Sequence, residues 1–113
     1  MIQPTRTAKM LIVSTTTSDE DEAERLAGSI IEGRLAACVQ IVPRITSVYF
    51  WGGELTRGSE CLLLIKTTSE KFSDVERFII ENHSYAVPEI LSVRVDRVSE
   101  AYADWVNEYL GKQ

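Results

Sequence analysis

The pair Gly52-Gly53 lies between two unusually long extended segments, and that placement constrains the chain more than any other feature. A two-residue turn with glycine joins antiparallel strands, because its central positions need positive φ. The arm before it runs from Leu35 to Trp51: Ala36-Ala37-Cys38-Val39-Gln40-Ile41-Val42, an interruption at Pro43, then Ile45 through Trp51. The returning arm covers Glu60-Cys61-Leu62-Leu63-Leu64-Ile65-Lys66-Thr67. Arms of about fourteen residues reach roughly 45 Å. A chain of 113 residues makes one domain, too small to surround such a ribbon, so the tip must project. Pro43 cannot donate to a ladder and belongs at an edge or a bulge.

The remaining elements follow from periodicity and punctuation. Residues 1–9 read as a flexible N-terminal arm and 10–113 as the single domain. Met10-Leu11-Ile12-Val13 is a short apolar strand ending in Ser14-Thr15-Thr16-Thr17. Thr17 and Glu20 have capping-box spacing, and Ala23, Leu26, Ala27, Ile30 and Ile31 recur at helical spacing up to a stop at Gly33. A second helix starts near Thr68 or Ser69 and carries Phe72, Val75, Phe78 and Ile79. Residues 82–88 read as a loop, Ile90 to Asp96 as a fourth strand, and Ser99 as the cap of a last helix bearing Tyr102, Trp105, Val106, Tyr109 and Leu110. The order β-α-β-β-α-β plus a C-terminal helix is the α+β, ferredoxin-like split sandwich. Right-handed crossovers put its first two helices on one sheet face.

The other face then needs a cover. Met10-Leu11-Ile12-Val13 and Leu62-Leu63-Leu64-Ile65 are apolar at both parities, whereas a sheet with one wet face alternates. One short terminal helix cannot hide that face, so self-association is expected. The formal net charge of −5 argues against a nucleic-acid partner. No apolar run reaches membrane-span length, and the polar start lacks a signal-peptide core. Two cysteines without a scaffold pattern point to free thiols in a reducing cytoplasm.

Few residues carry chemistry. His83, the single histidine, and Glu89 offer one nitrogen and one oxygen ligand, suited to copper or less well to zinc, yet two ligands do not close a site. The same pair can instead order a loop through hydrogen bonds. Asp19-Glu20-Asp21-Glu22 is a dipole-matched first turn whose carboxylates fan outward. With an unbroken ladder, Cys38 pairs near Thr67 and Cys61 near Arg44, about 20 Å apart and beyond disulfide reach. Tyr49, Trp51, Tyr85, Tyr102 and Trp105 suit core and interface packing. Glu60 and Lys66 share a parity and, with His83 and Tyr85, are candidates to line an intersubunit pocket for an anion. No nucleophile–base set, phosphate-binding glycine loop or organic-cofactor motif is present, so an enzyme is not expected.

Leu35-Ala36-Ala37-Cys38-Val39, Ser47 through Gly53, Glu60 through Thr67, His83-Ser84-Tyr85 with Val87-Pro88-Glu89-Ile90, and Tyr102 with Trp105 together resemble the CutA divalent-cation-tolerance family, from about Met10 to Leu110. The resemblance implies a ferredoxin-like subunit, a tight homotrimer whose hairpin reaches a neighbour, and a tie to copper and other divalent metals. It also implies likeness to trimeric signalling proteins that bind small molecules and partners in clefts between subunits. Two departures stand out. The family's His-Pro-Tyr-Glu is here His83-Ser84-Tyr85-Ala86, and the first strand ends at Ser14 with no thiol. The leading expectation is a non-enzymatic cytoplasmic homotrimer binding divalent metal, chiefly copper, through His83 and Glu89. The alternative is a signalling or scaffold trimer that binds a small molecule or protein in a cleft among Tyr49, Trp51, Glu60, Lys66, Tyr85 and Trp105.

Overall fold

The computed structural model describes residues 10–111, so the arm expected at 1–9 lies outside the described residues. Strand β1 (Met10–Thr17) leads to helix α1 (Glu20–Glu32), then to the hairpin of β2 (Cys38–Trp51) and β3 (Glu54–Thr68). A 3-10 turn (Ser69–Lys71), α2 (Phe72–Asn82), β4 (Leu91–Arg94) and α3 (Glu100–Gly111) complete the order. All pairings are antiparallel and the strand order is β2-β3-β1-β4, the expected α+β arrangement.

Strand β1 is longer than its apolar run. Thr15, Thr16 and Thr17 remain in the ladder opposite Leu63, Leu62 and Cys61, where β-branched side chains pack well. The helix cap therefore moves downstream from Thr17 to Asp19, whose carboxylate accepts from Glu22 N–H at 2.8 Å. Glu22 holds the capping-box position but turns its carboxylate to Ser84. At the other end Gly33 has φ −81 and Arg34 takes the left-handed conformation, φ 57. Arg34 N–H bonds Ile31 O and Leu35 N–H bonds Ile30 O, both at 3.0 Å, a Schellman closure with arginine where glycine is usual. Arg34 is held by Tyr109: Nη1 donates to its carbonyl at 3.1 Å and the guanidinium lies 4.2 Å from its ring centroid.

The core lies between one sheet face and two helices. Val13, Cys61, Leu63 and Ile65 pack against Ala23, Leu26 and Ile30 of α1 and Val75 and Ile79 of α2; each fully buried large aliphatic contributes about 1.5–3 kcal/mol. On the opposite face α3 covers only one end, where Val106 and Leu110 meet Met10 and Ala37. The rest is open, leaving Val42, Leu91 and Val93 exposed.

The hairpin turns at Gly52 (φ 59) and Gly53 (φ 82), both positive as a type I′ turn requires. Its ladder is broken once. Val42 faces Leu62 and Ile45 faces Glu60, so Pro43 and Arg44 together oppose Cys61, with Arg44 at φ 57. This bulge on the edge strand β2 accommodates the proline. It also shifts the register by one residue, so Cys38 pairs with Lys66, the immediate neighbour of Thr67. Even-numbered β2 residues share the open face before the bulge and odd-numbered ones after it. The radius of gyration is 15.3 Å with extents of 56 × 26 × 21 Å, against about 13 Å for a compact chain of this length. The excess is the projecting ribbon.

Candidate functional site

The loop after α2 folds back across β1 toward the hairpin, anchored first by His83. Its N–H closes α2 by donating to Ile79 O at 2.9 Å. Its side chain is fully buried. Nε2 meets the Thr16 carbonyl at 2.6 Å and Nδ1 accepts from Tyr85 N–H at 3.0 Å. The proton therefore belongs on Nε2, as the neutral tautomer. Glu22 approaches Nδ1 at 3.6 Å, but its two oxygens accept from Ser84, the N–H at 2.8 Å and the hydroxyl at 2.9 Å. Ser84, a departure from the proline usual in the resembled pattern, thus supplies two donors that proline lacks. A cavity of about 420 Å³ opens beside this clamp, lined by Ser18, Asp19, Asp21, Glu22, Arg25 and Ser84.

From His83 the hydrogen bonding continues to Glu60. The His83 and Tyr85 rings lie 4.7 Å apart, and the Tyr85 hydroxyl donates to Glu60 Oε2 at 2.8 Å. Ser47 donates to Glu60 Oε1 at 2.6 Å. Burial pushes the Glu60 carboxyl upward, but hydrogen bonds from Ser47, Tyr85 and Thr16, together with the electrostatic influence of His83, outweigh it and hold the group below its ordinary value. Tyr85 moves the other way: burial and then its bond to Glu60 push the phenol well above its ordinary value, with the charges of Glu60 and Glu22 and neighbouring Tyr49 adding to the effect. Tyr49 shares the open face with Ser47 and Glu60. Glu89 stands on the same side, accepting from Ser14 at 3.0 Å.

The expected site residues separate into two groups. Tyr49, Glu60, Tyr85 and His83 come together, while Trp51 sits farther out at the tip, 74% exposed. Lys66 lies six residues along β3 from Glu60, about 20 Å away, where its Nζ is 5.8 Å from the Tyr102 ring. Tyr102 stacks on Trp105 at 5.7 Å, and burial together with Cys38 raises its phenol. Trp105 joins Arg34, Glu108 and Tyr109 around a cavity of about 240 Å³. Cys61 is a core thiol; Cys38 is half-buried. Sequence reasoning missed Thr16, Glu22, Ser47 and Ser84. Ser47 was recoverable, since counting back from Gly52-Gly53 puts it diagonal to Glu60. Glu22 and Ser84, 62 residues apart, left no such signal.

A resident metal does not fit the donor set that this chain brings together. Both His83 nitrogens are committed and Glu89 is bound to Ser14. Among the described residues no three His, Cys, Asp or Glu side chains converge. No helix among them is long and apolar enough to cross a membrane.

The pattern of the CutA1 divalent ion tolerance protein family matches residues 11–109. The divalent-cation tolerance protein CutA of Thermus thermophilus is 40% identical over 100 residues, 88% of this chain and 97% of that protein. The chloroplastic protein CutA of Arabidopsis thaliana is 36% identical over 94% of this chain, which spans 58% of its length. A structure of CutA from Synechococcus elongatus, complexed with a Bis-Tris molecule, is 38% identical and covers 91% of this chain and 95% of its own, with a TM-score of 0.84.

Proposed function

This chain belongs to the CutA1 divalent ion tolerance family, and we propose that it serves divalent-cation tolerance as a non-enzymatic cytoplasmic homotrimer whose intersubunit clefts bind a small molecule or protein. The observation that carries the reading is the open sheet face, where Val42, Leu91 and Val93 stand exposed beside the hydrogen-bonded polar group centred on Glu60. Apolar surface of that kind, continuous with a ribbon unsupported by its own chain, is what a second and third copy would bury. The bound Bis-Tris of the cyanobacterial relative supports a small polar ligand. The two free thiols support a reducing compartment.

Copper binding through His83 and Glu89 is the weaker reading, because His83 has neither ring nitrogen free. For the same reason His83 is poorly placed as a general base, which supports a non-enzymatic role. Light scattering on the purified chain should give about three times 12.7 kDa. Calorimetric titration of Cu²⁺ and Zn²⁺ into wild type and His83→Ala should give equally weak binding. Micromolar or tighter binding that disappears in the variant would restore the copper reading, and a stable monomer would remove the clefts.

A further inference from the structure

We infer that the cavity between the end of α1 and helix α3 is a binding site for a free aromatic amino acid. The cavity holds about 240 Å³ and is lined by Arg34, Trp105, Glu108 and Tyr109. Pockets for drug-sized ligands run to roughly 300–1,000 Å³, so this one suits a smaller molecule. Trp105, Glu108 and Tyr109 are spaced by three and four, which puts them on one face of α3. Arg34 meets them from just past the end of α1. All four belong to one chain, so the site goes beyond the intersubunit reading above and does not need it.

Arg34 supplies the anchor. It holds φ 57 where a helix stop ordinarily takes glycine, and a side chain kept there at a steric cost points to a use for it. Its guanidinium lies 4.2 Å from the Tyr109 ring centroid, and the Tyr109 hydroxyl is fixed in turn on Ile31 O at 2.6 Å. Stacking occupies the face of the guanidinium, and the Tyr109 carbonyl takes one N–H, from Nη1 at 3.1 Å. A guanidinium has five such donors, and among the described residues no carboxylate forms an ion pair with Arg34. This half-buried cation is held in place with donors left for a ligand carboxylate, the group its fork fits. The other walls narrow the choice. Trp105 is 52% exposed although Tyr102 stacks on it at 5.7 Å, so the rest of the indole is open to an aromatic group. The Glu108 carboxylate repels a ligand whose only charge is negative and attracts an ammonium. Carboxylate, ammonium and ring together describe an aromatic amino acid.

The test is calorimetric titration of phenylalanine at neutral pH. The controls are hydrocinnamate, which lacks the ammonium, and phenethylamine, which lacks the carboxylate. Wild type should bind phenylalanine saturably and each control at least about tenfold more weakly. Arg34→Gln should lose about tenfold or more in phenylalanine affinity. Glu108→Gln changes an exposed side chain; it should erase the preference for phenylalanine over hydrocinnamate, and it carries the test alone if Arg34→Gln does not fold. Trp105→Ala should weaken all three compounds alike. No saturable binding in wild type, equal affinity for phenylalanine and its controls, unchanged binding in a folded Arg34→Gln, or an undiminished preference in Glu108→Gln would overturn the inference. A trimer that ignores phenylalanine sinks this site and spares the assembly; a monomer that binds it through Arg34 does the reverse.

Discussion

His83 Nε2 donates to the backbone carbonyl of Thr16 at 2.6 Å, joining the end of α2 to β1 across 67 positions of sequence. With Nδ1 accepting from Tyr85, the ring acts as a two-ended spacer. Its shape and hydrogen-bonding pattern set where Tyr85, and through it Glu60, stand.

His83→Ala should therefore be a stability variant. It strips the Thr16 carbonyl and the Tyr85 N–H of their partners in a buried setting, at a cost of about 1–3 kcal/mol. Urea denaturation should show an earlier midpoint. Removing metal should do far less: a chelator at neutral pH is expected to leave wild-type mass and melting temperature almost unchanged.

Glu60 should leave a signature in acid. Its folded carboxyl titrates below the ordinary value of 4.5 because the hydroxyl bonds, with the electrostatic influence of His83, outweigh burial. A group depressed in this way contributes stability that is fully present above the ordinary value and is lost as pH falls through the folded one. Melting temperatures below pH 4.5 should accordingly fall more steeply for wild type than for Glu60→Gln.

The two left-handed arginines should respond differently to glycine. Arg34 and Arg44 both have φ 57, a conformation costing a non-glycine residue about 1 kcal/mol. Arg44→Gly, at an exposed bulge, should raise stability by up to about that amount. Arg34→Gly gives up the 3.1 Å bond and the ring contact with Tyr109, worth about 1–2 kcal/mol. Thermal melts should show this second variant unchanged or less stable.

Thr15 is buried and its hydroxyl has no hydrogen-bond partner among the described residues. Thr15→Val keeps the branched shape and removes the unsatisfied group, so stability should rise by about 1 kcal/mol. Differential scanning calorimetry should record a melting temperature several degrees higher; a lower one would mean that the hydroxyl has a partner in solution.

Local chemistry by itself determined the elements of this protein. Gly52-Gly53 admits positive φ, so the hairpin and its pairing near the tip follow from counting outward. Apolar residues at spacings of two and near 3.6 mark strands and helices because those are the periods at which side chains return to one face. The apolar runs at both parities likewise announced that one sheet face would be left without a cover from its own chain. Tertiary structure alone decided the rest. Pro43 shows that a ladder bond is missing without saying how many residues the strand will insert. The single extra residue at Arg44 moves Cys38 opposite Lys66 and onto the face of Tyr102. Nor does the sequence show whether a histidine is free. That depends on Thr16 O and Tyr85 N–H, backbone groups that every residue but proline carries and whose positions exist only once the chain has closed around them.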